Sequence, residues 1–289
     1  MRMSRLAVAL GATTGLLAAL FTAMSTVDTG PAHASAVPAA LPAYDHIVVV
    51  VEENHSFSEV IGNANAPYIT SLANAGANMT QSFAVTHPSE PNYLALFSGS
   101  TQGITDDSCP HTFSAENLGH QVITAGKTFT GYSESMPSDG YTGCSSGRYA
   151  RKHNPWVNFT NVPSASNLRF ADFPTDFTTL PKLSFVVPDL CDDMHDCSVS
   201  TGDTWLKNHL GGYATWAKTH NSLLLVTFDE DDHSASNRIP TVFSGAHVAT
   251  GTYGEHITHY TVLRTLESLT GVGCVANSCS VSPITDIWS

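Results

Sequence analysis

Between His87 and Gly99 the chain reads HPSEPNYLALFSG, which sets Ser89 between two prolines, next to a glutamate and just ahead of an apolar run. A serine hydroxyl becomes a nucleophile at neutral pH only beside a base or a metal. No G-x-S-x-G elbow of the α/β-hydrolase kind is expected here, so a metal-activated alkoxide suits Ser89 better than a Ser-His-Asp triad. Pro88 and Pro91 shape a turn at a helix N-terminus, where an anion is favoured, and Asn92 offers an amide to a phosphoryl oxygen. Taken alone, the same stretch reads as an ordinary helix cap with Pro91 in the first turn.

Acids come next. Three apolar, strand-like runs finish in acids or their amides: VVVVEEN at Glu52–Asn54, FVVPD at Asp189, and LLVTFDEDD at Asp229–Asp232. In open α/β sheets ligands bind at the carboxyl ends of strands. Acidic clusters gathered there repel one another unless a cation lies between them. Histidines stand nearby: His195 among Asp189, Asp192, Asp193 and Asp196, and His256 and His259 just before a helical pattern. Imidazole with carboxylate suits zinc, manganese or iron, whereas an all-oxygen set suits calcium or magnesium. His33, His46, His209, His220 and His247 read as ordinary surface or core residues.

These sites need elements to position them. Ile47–Val51 is a continuous β-branched run, the mark of a strand buried on both faces. The stretch APYITSLANAGA has helical spacing closed by glycine, YLALFSG begins a helix, and YTVLRTLESLTG is helical with a glycine stop. KLSFVVPD, SLLLVTFDEDD and IPTVFSGAHV read as further strands. Residues from about 100 to 180 are rich in Gly, Ser, Thr, Asn and Pro, and read as long loops stapled by cysteines. Strands alternating with helices predict an α/β fold, with a mainly parallel central sheet flanked by helices on both faces.

The chain has 289 residues and a formal charge of -13. Its start has a basic n-region, an apolar stretch from Leu6 to about Met24, and Ala32-His33-Ala34, the pattern of a cleaved signal peptide over residues 1–34. Residues 35–44 read as a flexible leader and 45–289 as one domain. Losing Arg2, Arg5 and Asp28 would take the charge from -13 to -14. That balance argues against nucleic acid or an anionic membrane surface as partner. A small phosphorylated substrate remains open, because a metal can supply positive charge. No later stretch approaches the roughly 20 apolar residues of a membrane span, so the expected product is secreted and without stable membrane anchoring. Six cysteines suit an oxidising compartment. The close pairs favour Cys191–Cys197 and Cys274–Cys279, leaving Cys109–Cys144, one of 15 possible pairings.

Taken together, VVVVEENHSF, HPSEPNYLALFSG, PDLCDDMHDC, TFDEDD and HYTVLRTLE, in that order, resemble the bacterial phosphoesterase family of acid phosphatase A-type enzymes and non-specific phospholipases C, in the alkaline phosphatase superfamily. The resemblance runs from about Asp45 to Gly271. It implies an alkaline phosphatase-like fold and a hydrolase acting on phosphoric esters through a phosphoserine at Ser89. By the same resemblance, Glu53, Asn54, Asp229, Glu230 and Asp193 match metal-site positions for one or two divalent ions. Asn92 matches a phosphate contact, while His195 and His259 match either ligands of a second ion or acid/base groups. Lys152 and His153, in YARKHNPW, are the cationic candidates for the substrate pocket. Two-zinc superfamily members carry Asp-His where this chain has Asp229-Glu230, so one metal and two remain alternatives. A phosphate monoesterase is the reading implied first. A phosphodiesterase or phospholipase C on the same site is the alternative within the class, and a non-catalytic metal-binding secreted protein the alternative outside it.

Overall fold

A computed structural model describes residues 41–289; the expected signal peptide and most of the expected leader lie outside these residues. Twelve strands are present among them. In chain order they are β1 (His46–Glu52), β2 (Ala77–Met79), β3 (Ser82–Phe83), β4 (Phe129–Ser133), β5 (Ser145–Ser146), β6 (Tyr149–Ala150), β7 (Asn167–Arg169), β8 (Leu183–Val187), β9 (Ser222–Phe228), β10 (Thr241–Gly245), β11 (Gly251–Tyr253) and β12 (Ile257–Thr258). The helices are α1 (Phe57–Val60), α2 (Pro67–Ala75), α3 (Ser89–Ser98), α4 (Leu118–Thr124), α5 (Val199–Ala217) and α6 (His259–Thr270).

Eight strands form one sheet in the order β11-β2-β10-β9-β1-β8-β4-β7. β1 pairs in parallel with β8 and β9, and β4 in parallel with β8 and β7. β10 runs antiparallel to both of its neighbours. The expected mainly parallel sheet is therefore present, with one reversed strand. Side-chain alternation along β1 builds a core on each face. Ile47, Val49 and Val51 pack with residues of α3, α4 and α6. Val48 and Val50 pack with residues of α2 and α5. Burying each of these aliphatic side chains contributes about 1.5–3 kcal/mol relative to exposure. Leu41 and Tyr44, at the end of the expected leader, pack on the first core, and Tyr44 Oη donates to the Ala246 carbonyl at 2.6 Å.

Every residue of α3 is buried, so its low amphipathicity follows from its place at the centre of the molecule. It ends at Gly99, whose φ of 69° is the left-handed conformation that glycine adopts without a Cβ penalty. The disulfides are Cys109–Cys144, Cys191–Cys197 and Cys274–Cys279, as the spacing favoured.

Candidate active site

The site forms where β1, β9 and the loop after β8 leave the sheet beneath the N-terminus of α3. Backbone hydrogen bonds tie these ends together: Glu53 N–H donates to the Asp193 carbonyl at 2.8 Å, and Asp229 N–H to the Glu52 carbonyl at 3.0 Å. Asn54 adopts a positive φ of 56° and turns its N–H to Asp229 Oδ1 at 3.0 Å.

Ser89 is 2% exposed, and its hydroxyl donates to Glu53 Oε2 at 3.2 Å with Glu230 Oε1 at 3.5 Å. One helical turn on, Asn92 and Tyr93 share its face. Asn92 Oδ1 accepts from the N–H groups of Val85 and Thr86, and its Nδ2 reaches Glu230 Oε2 at 3.3 Å. Asn92 thus pins the turn before the serine as well as facing the cluster. Tyr93 donates to Glu53 Oε1 at 2.6 Å.

His153, expected to touch substrate, is buried inside the cluster. Its Nε2 lies 3.1 Å from Glu53 Oε1 and its Nδ1 3.2 Å from Asp193 Oδ2. Burial, with Lys152 and His195 nearby, holds its pKa well below the usual range, which favours the neutral ring. His195 joins the group: ligand atoms of Glu53, His153 and His195 lie within 4.8 Å of one another. Lys152 pairs with Asp107 at 2.8 Å, and its charge also reaches Glu53 and Asp229. His259 stands apart from the carboxylates in its bonding. It is buried with Nε2 on the Phe228 carbonyl at 3.0 Å, next to Asp229 in the chain, and burial pushes its pKa to about 4. That bond ties the start of α6 to the end of β9, and its Nδ1 is buried without a hydrogen-bond partner.

The sequence reading gave His87 and Tyr93 no role. His87 Nδ1 approaches Glu230 Oε2 to 2.9 Å, its Nε2 lies 3.3 Å from Asp231 Oδ1, and its ring stacks on His233. The available signal was position: His87 is two residues before the serine and Tyr93 one helical turn after it. One string, Gly143-Cys-Ser-Ser-Gly147, does match G-x-S-x-G. It forms the small β5–β6 hairpin with Ser145 exposed and Cys144 in a disulfide, not a strand-to-helix elbow.

The carboxylates tell what else the site needs. Burial first, then Asp229 and Asp193, raise the Glu53 pKa well above the usual range. Burial likewise raises Asp193 strongly, Asp229 to about 6 and Glu230 to about 8, the last two being neighbours in the chain. Asp229 Oδ2 is buried without a hydrogen-bond partner, and Asp193 Oδ2 and His153 Nε2 make none either, their approaches of 3.2 Å to His153 Nδ1 and 3.1 Å to Glu53 Oε1 not being aligned as hydrogen bonds. Buried polar atoms are rarely left so. Carboxylate and imidazole groups with unfilled lone pairs, Glu53, His153 and His195 within 4.8 Å of one another among them, fit a divalent cation.

Glu90 follows Ser89 but points elsewhere, accepting from Asn158 Nδ2 at 2.9 Å with His111 at 3.7 Å. Burial pushes its pKa from 4.5 up to about 7. A raised carboxyl favours the fold below its unfolded pKa, and that contribution is lost as pH rises from about 4.5 through about 7. Glu90→Gln keeps the acceptor for Asn158 and removes the charge. It is expected to raise Tm at pH 8, by relief on the order of 3 kcal/mol, and to change it little at pH 4.5. Thermal melts at the two pH values check this, and equal shifts at both would contradict it.

The fold is shared with solved structures of low sequence identity. A protein of the alkaline phosphatase superfamily from Vibrio parahaemolyticus superposes with a TM-score of 0.58 at 14% identity, covering 86% of this chain and 72% of that one. The lipoteichoic acid synthase from Listeria monocytogenes superposes with a TM-score of 0.53 at 11% identity, covering 79% and 72%. Residues 63–273 match the Phosphoesterase family, and the chain belongs to that family. A phosphatidylinositol-3-phosphatase of Mycobacterium tuberculosis is 55% identical over 252 residues, covering 86% of this chain and 84% of that protein. A phosphate-repressible acid phosphatase of Penicillium chrysogenum is 30% identical over 249 residues, covering 80% of this chain and 60% of the fungal one. The protein is an enzyme hydrolysing phosphoric ester bonds.

Proposed function

We propose that this chain is an exported, metal-dependent phosphate monoesterase that works through a phosphoserine on Ser89. The observation that carries the reading is the Ser89 hydroxyl, buried at the start of α3 and donating to Glu53 with Glu230 at its other side. The acid phosphatase and phosphatidylinositol-3-phosphatase names of its relatives support a monoester substrate, including one borne on a lipid headgroup. Export through a signal peptide at 1–34 and a leader at 35–44, ahead of a single domain at 45–289, is part of the proposal. The three disulfides support it. Among the described residues, no helix is long and apolar enough to cross a membrane.

Glu53, Asn54, Asp229, Glu230 and Asp193 would hold the divalent ion, with His153 beside them. When bound, such an ion lowers the pKa of a coordinated hydroxyl and polarises a phosphoryl oxygen. Ser89 Oγ passes its proton to a flanking carboxylate and bonds to phosphorus, and the phosphorus–alkoxide bond breaks. The departing oxygen takes a proton from His195. Water then bonds to phosphorus, giving a proton back to His195, while Ser89 leaves and recovers its own. Asn92 and Lys152 orient and neutralise the phosphoryl oxygens. Positioning and charge neutralisation supply most of the rate in such transfers.

A panel of p-nitrophenyl phosphate, bis-p-nitrophenyl phosphate, phosphatidylinositol 3-phosphate and phosphatidylcholine, with and without EDTA, tests the reading. Monoesters are expected to turn over at least tenfold faster than the diester. EDTA is expected to abolish turnover, and one divalent metal to restore it. Diester preference would move the enzyme to the phosphodiesterase and phospholipase C alternative. Metal-dependent melting without hydrolysis would make it a metal-binding protein only.

A further inference from the structure

Glu53 faces Ser89 and Asp193 faces His153, but the residues just before them lead to the other face of the sheet. We infer that Glu52, Glu134, Asp189 and Asp192 form a second cation site, for a hard divalent ion of the calcium class, on the α2/α5 side and behind the serine centre. Ligand oxygens of Glu134, Asp189 and Asp192 already lie within 4.8 Å of one another.

Glu52 gives the independent sign of a missing ligand. It is fully buried, and neither of its carboxylate oxygens has a hydrogen-bond partner. Alternation along β1 puts it on the face of Val48 and Val50. Glu134 follows β4 with Tyr132 on that same face, and β8 lies between β1 and β4. Glu52 and Glu134 therefore flank the end of β8, from which the loop bearing Asp189 and Asp192 departs. Two strand spacings are about 10 Å, a gap that two carboxylate side chains bridge with an ion at about 2.4 Å from each oxygen. The charges that raise the Glu52 pKa after burial are acidic, namely Asp193, Asp192, Glu134 and Asp203, while Arg148 and His209 act on Asp192 at the rim. None of the Lys or Arg ion pairs among the described residues includes any of the four proposed ligands.

Asp189 Oδ1 is taken by the N–H groups of Cys191 at 3.0 Å and Asp192 at 3.2 Å, and further bonds aim the other ligand oxygens. Trp205 Nε1 donates to Glu134 Oε1 at 2.8 Å, Asp189 N–H to Glu134 Oε2 at 3.0 Å, and Ser135 Oγ to Asp189 Oδ2 at 2.7 Å. Each of these oxygens keeps a second lone pair. All the donors are oxygen, which selects calcium or magnesium over zinc, and flexible carboxylates in this number suit calcium. Asp192, Thr201, Trp205 and His209 line an open cavity of about 460 Å³, which gives an ion a way in.

The indole bonded to Glu134 supplies the assay. The chelator-treated full-length protein is titrated with Tb³⁺ under tryptophan excitation, and Ca²⁺ is then added. Sensitised emission displaced by Ca²⁺ is expected. It should persist in Asp229→Asn, which alters the serine centre, and fall at least tenfold in Asp192→Asn, in Glu52→Gln and, through loss of the sensitiser, in Trp205→Phe. Ca²⁺ at about 100 times its Kd should also raise Tm by about 5–10 °C in the wild type and in Trp205→Phe. Near-UV circular dichroism checks folding; should Glu52→Gln not fold, Asp192→Asn, on the half-buried rim, decides alone. No sensitised emission, or emission kept in Asp192→Asn, or emission lost in Asp229→Asn, would overturn the assignment. Binding is read without turnover, so the outcome is independent of the proposed phosphatase activity.

Discussion

Ser89→Ala is expected to lower kcat/KM for a phosphate monoester by roughly 10⁴-fold or more while leaving the fold intact. The two readings of Ser89, as cap and as nucleophile, separate on this pair of measurements. A capping serine accepts from the N–H groups of its helix, and its loss typically costs about 1 kcal/mol. Here the N-cap is Pro88, with φ of -80° and ψ of -162°, and no side-chain cap bond is made. The Ser89 hydroxyl instead donates outward to Glu53. Removing it forfeits one such bond, about 0.5–1.5 kcal/mol, and leaves Glu53 with its bond from Tyr93. For a domain of this size that is a Tm change of only a few degrees. The alanine variant should also fail to incorporate phosphate from labelled substrate after acid quenching. Near-normal turnover would remove Ser89 from the mechanism, and a collapsed Tm with modest kinetic loss would make it structural.

What the sequence disclosed and what it hid follow from one physical distinction. A strand buried on both faces must be apolar throughout, so β1, β8 and β9 were plain, and so were the acids closing them. Ser89 stood out because its prolines fix a turn. α5, the longest helix, was missed because Val199–Ala217 carries three glycines and three threonines, poor helix formers. Tertiary packing holds it, through Trp205, Leu206, Leu210 and Tyr213. β4 was hidden likewise by Gly131, which lies under Trp156: a Cβ there would come 2.1 Å from the indole. A glycine chosen for a distant aromatic ring leaves no local trace. The same holds for His153. In YARKHNPW it looked like a cation for substrate, and only the fold shows it between Glu53 and Asp193. Local pattern reveals which residues are unusual; which of them share a cavity depends on how β1, β8 and β9 are ordered.

Asp229→Asn should reduce kcat by roughly 10³-fold or more and, in chelator-treated protein at pH 8, raise Tm by about 3–8 °C. The opposite signs are the point of the test. Without a cation, burial and mutual repulsion make the ionised cluster costly, as the raised pKa values of Glu53, Asp193, Asp229 and Glu230 record. Two unit charges 4 Å apart interact by about 4 kcal/mol at an effective dielectric constant of 20, so deleting one of several relieves about 1–3 kcal/mol. Asparagine keeps an Oδ1 for the Asn54 N–H and puts an amide where Oδ2 now lacks a partner. The variant therefore gains in the metal-free protein on two counts. With metal the sign reverses: the wild type gains from binding and the variant, short of one anionic ligand, gains much less. Melting curves of both proteins with EDTA and with saturating metal give four numbers, and the wild-type advantage should appear only in the metal pair. A variant that melts lower than wild type in EDTA, yet keeps the full metal-induced rise, would show that Asp229 supports the fold and takes no part in holding a cation.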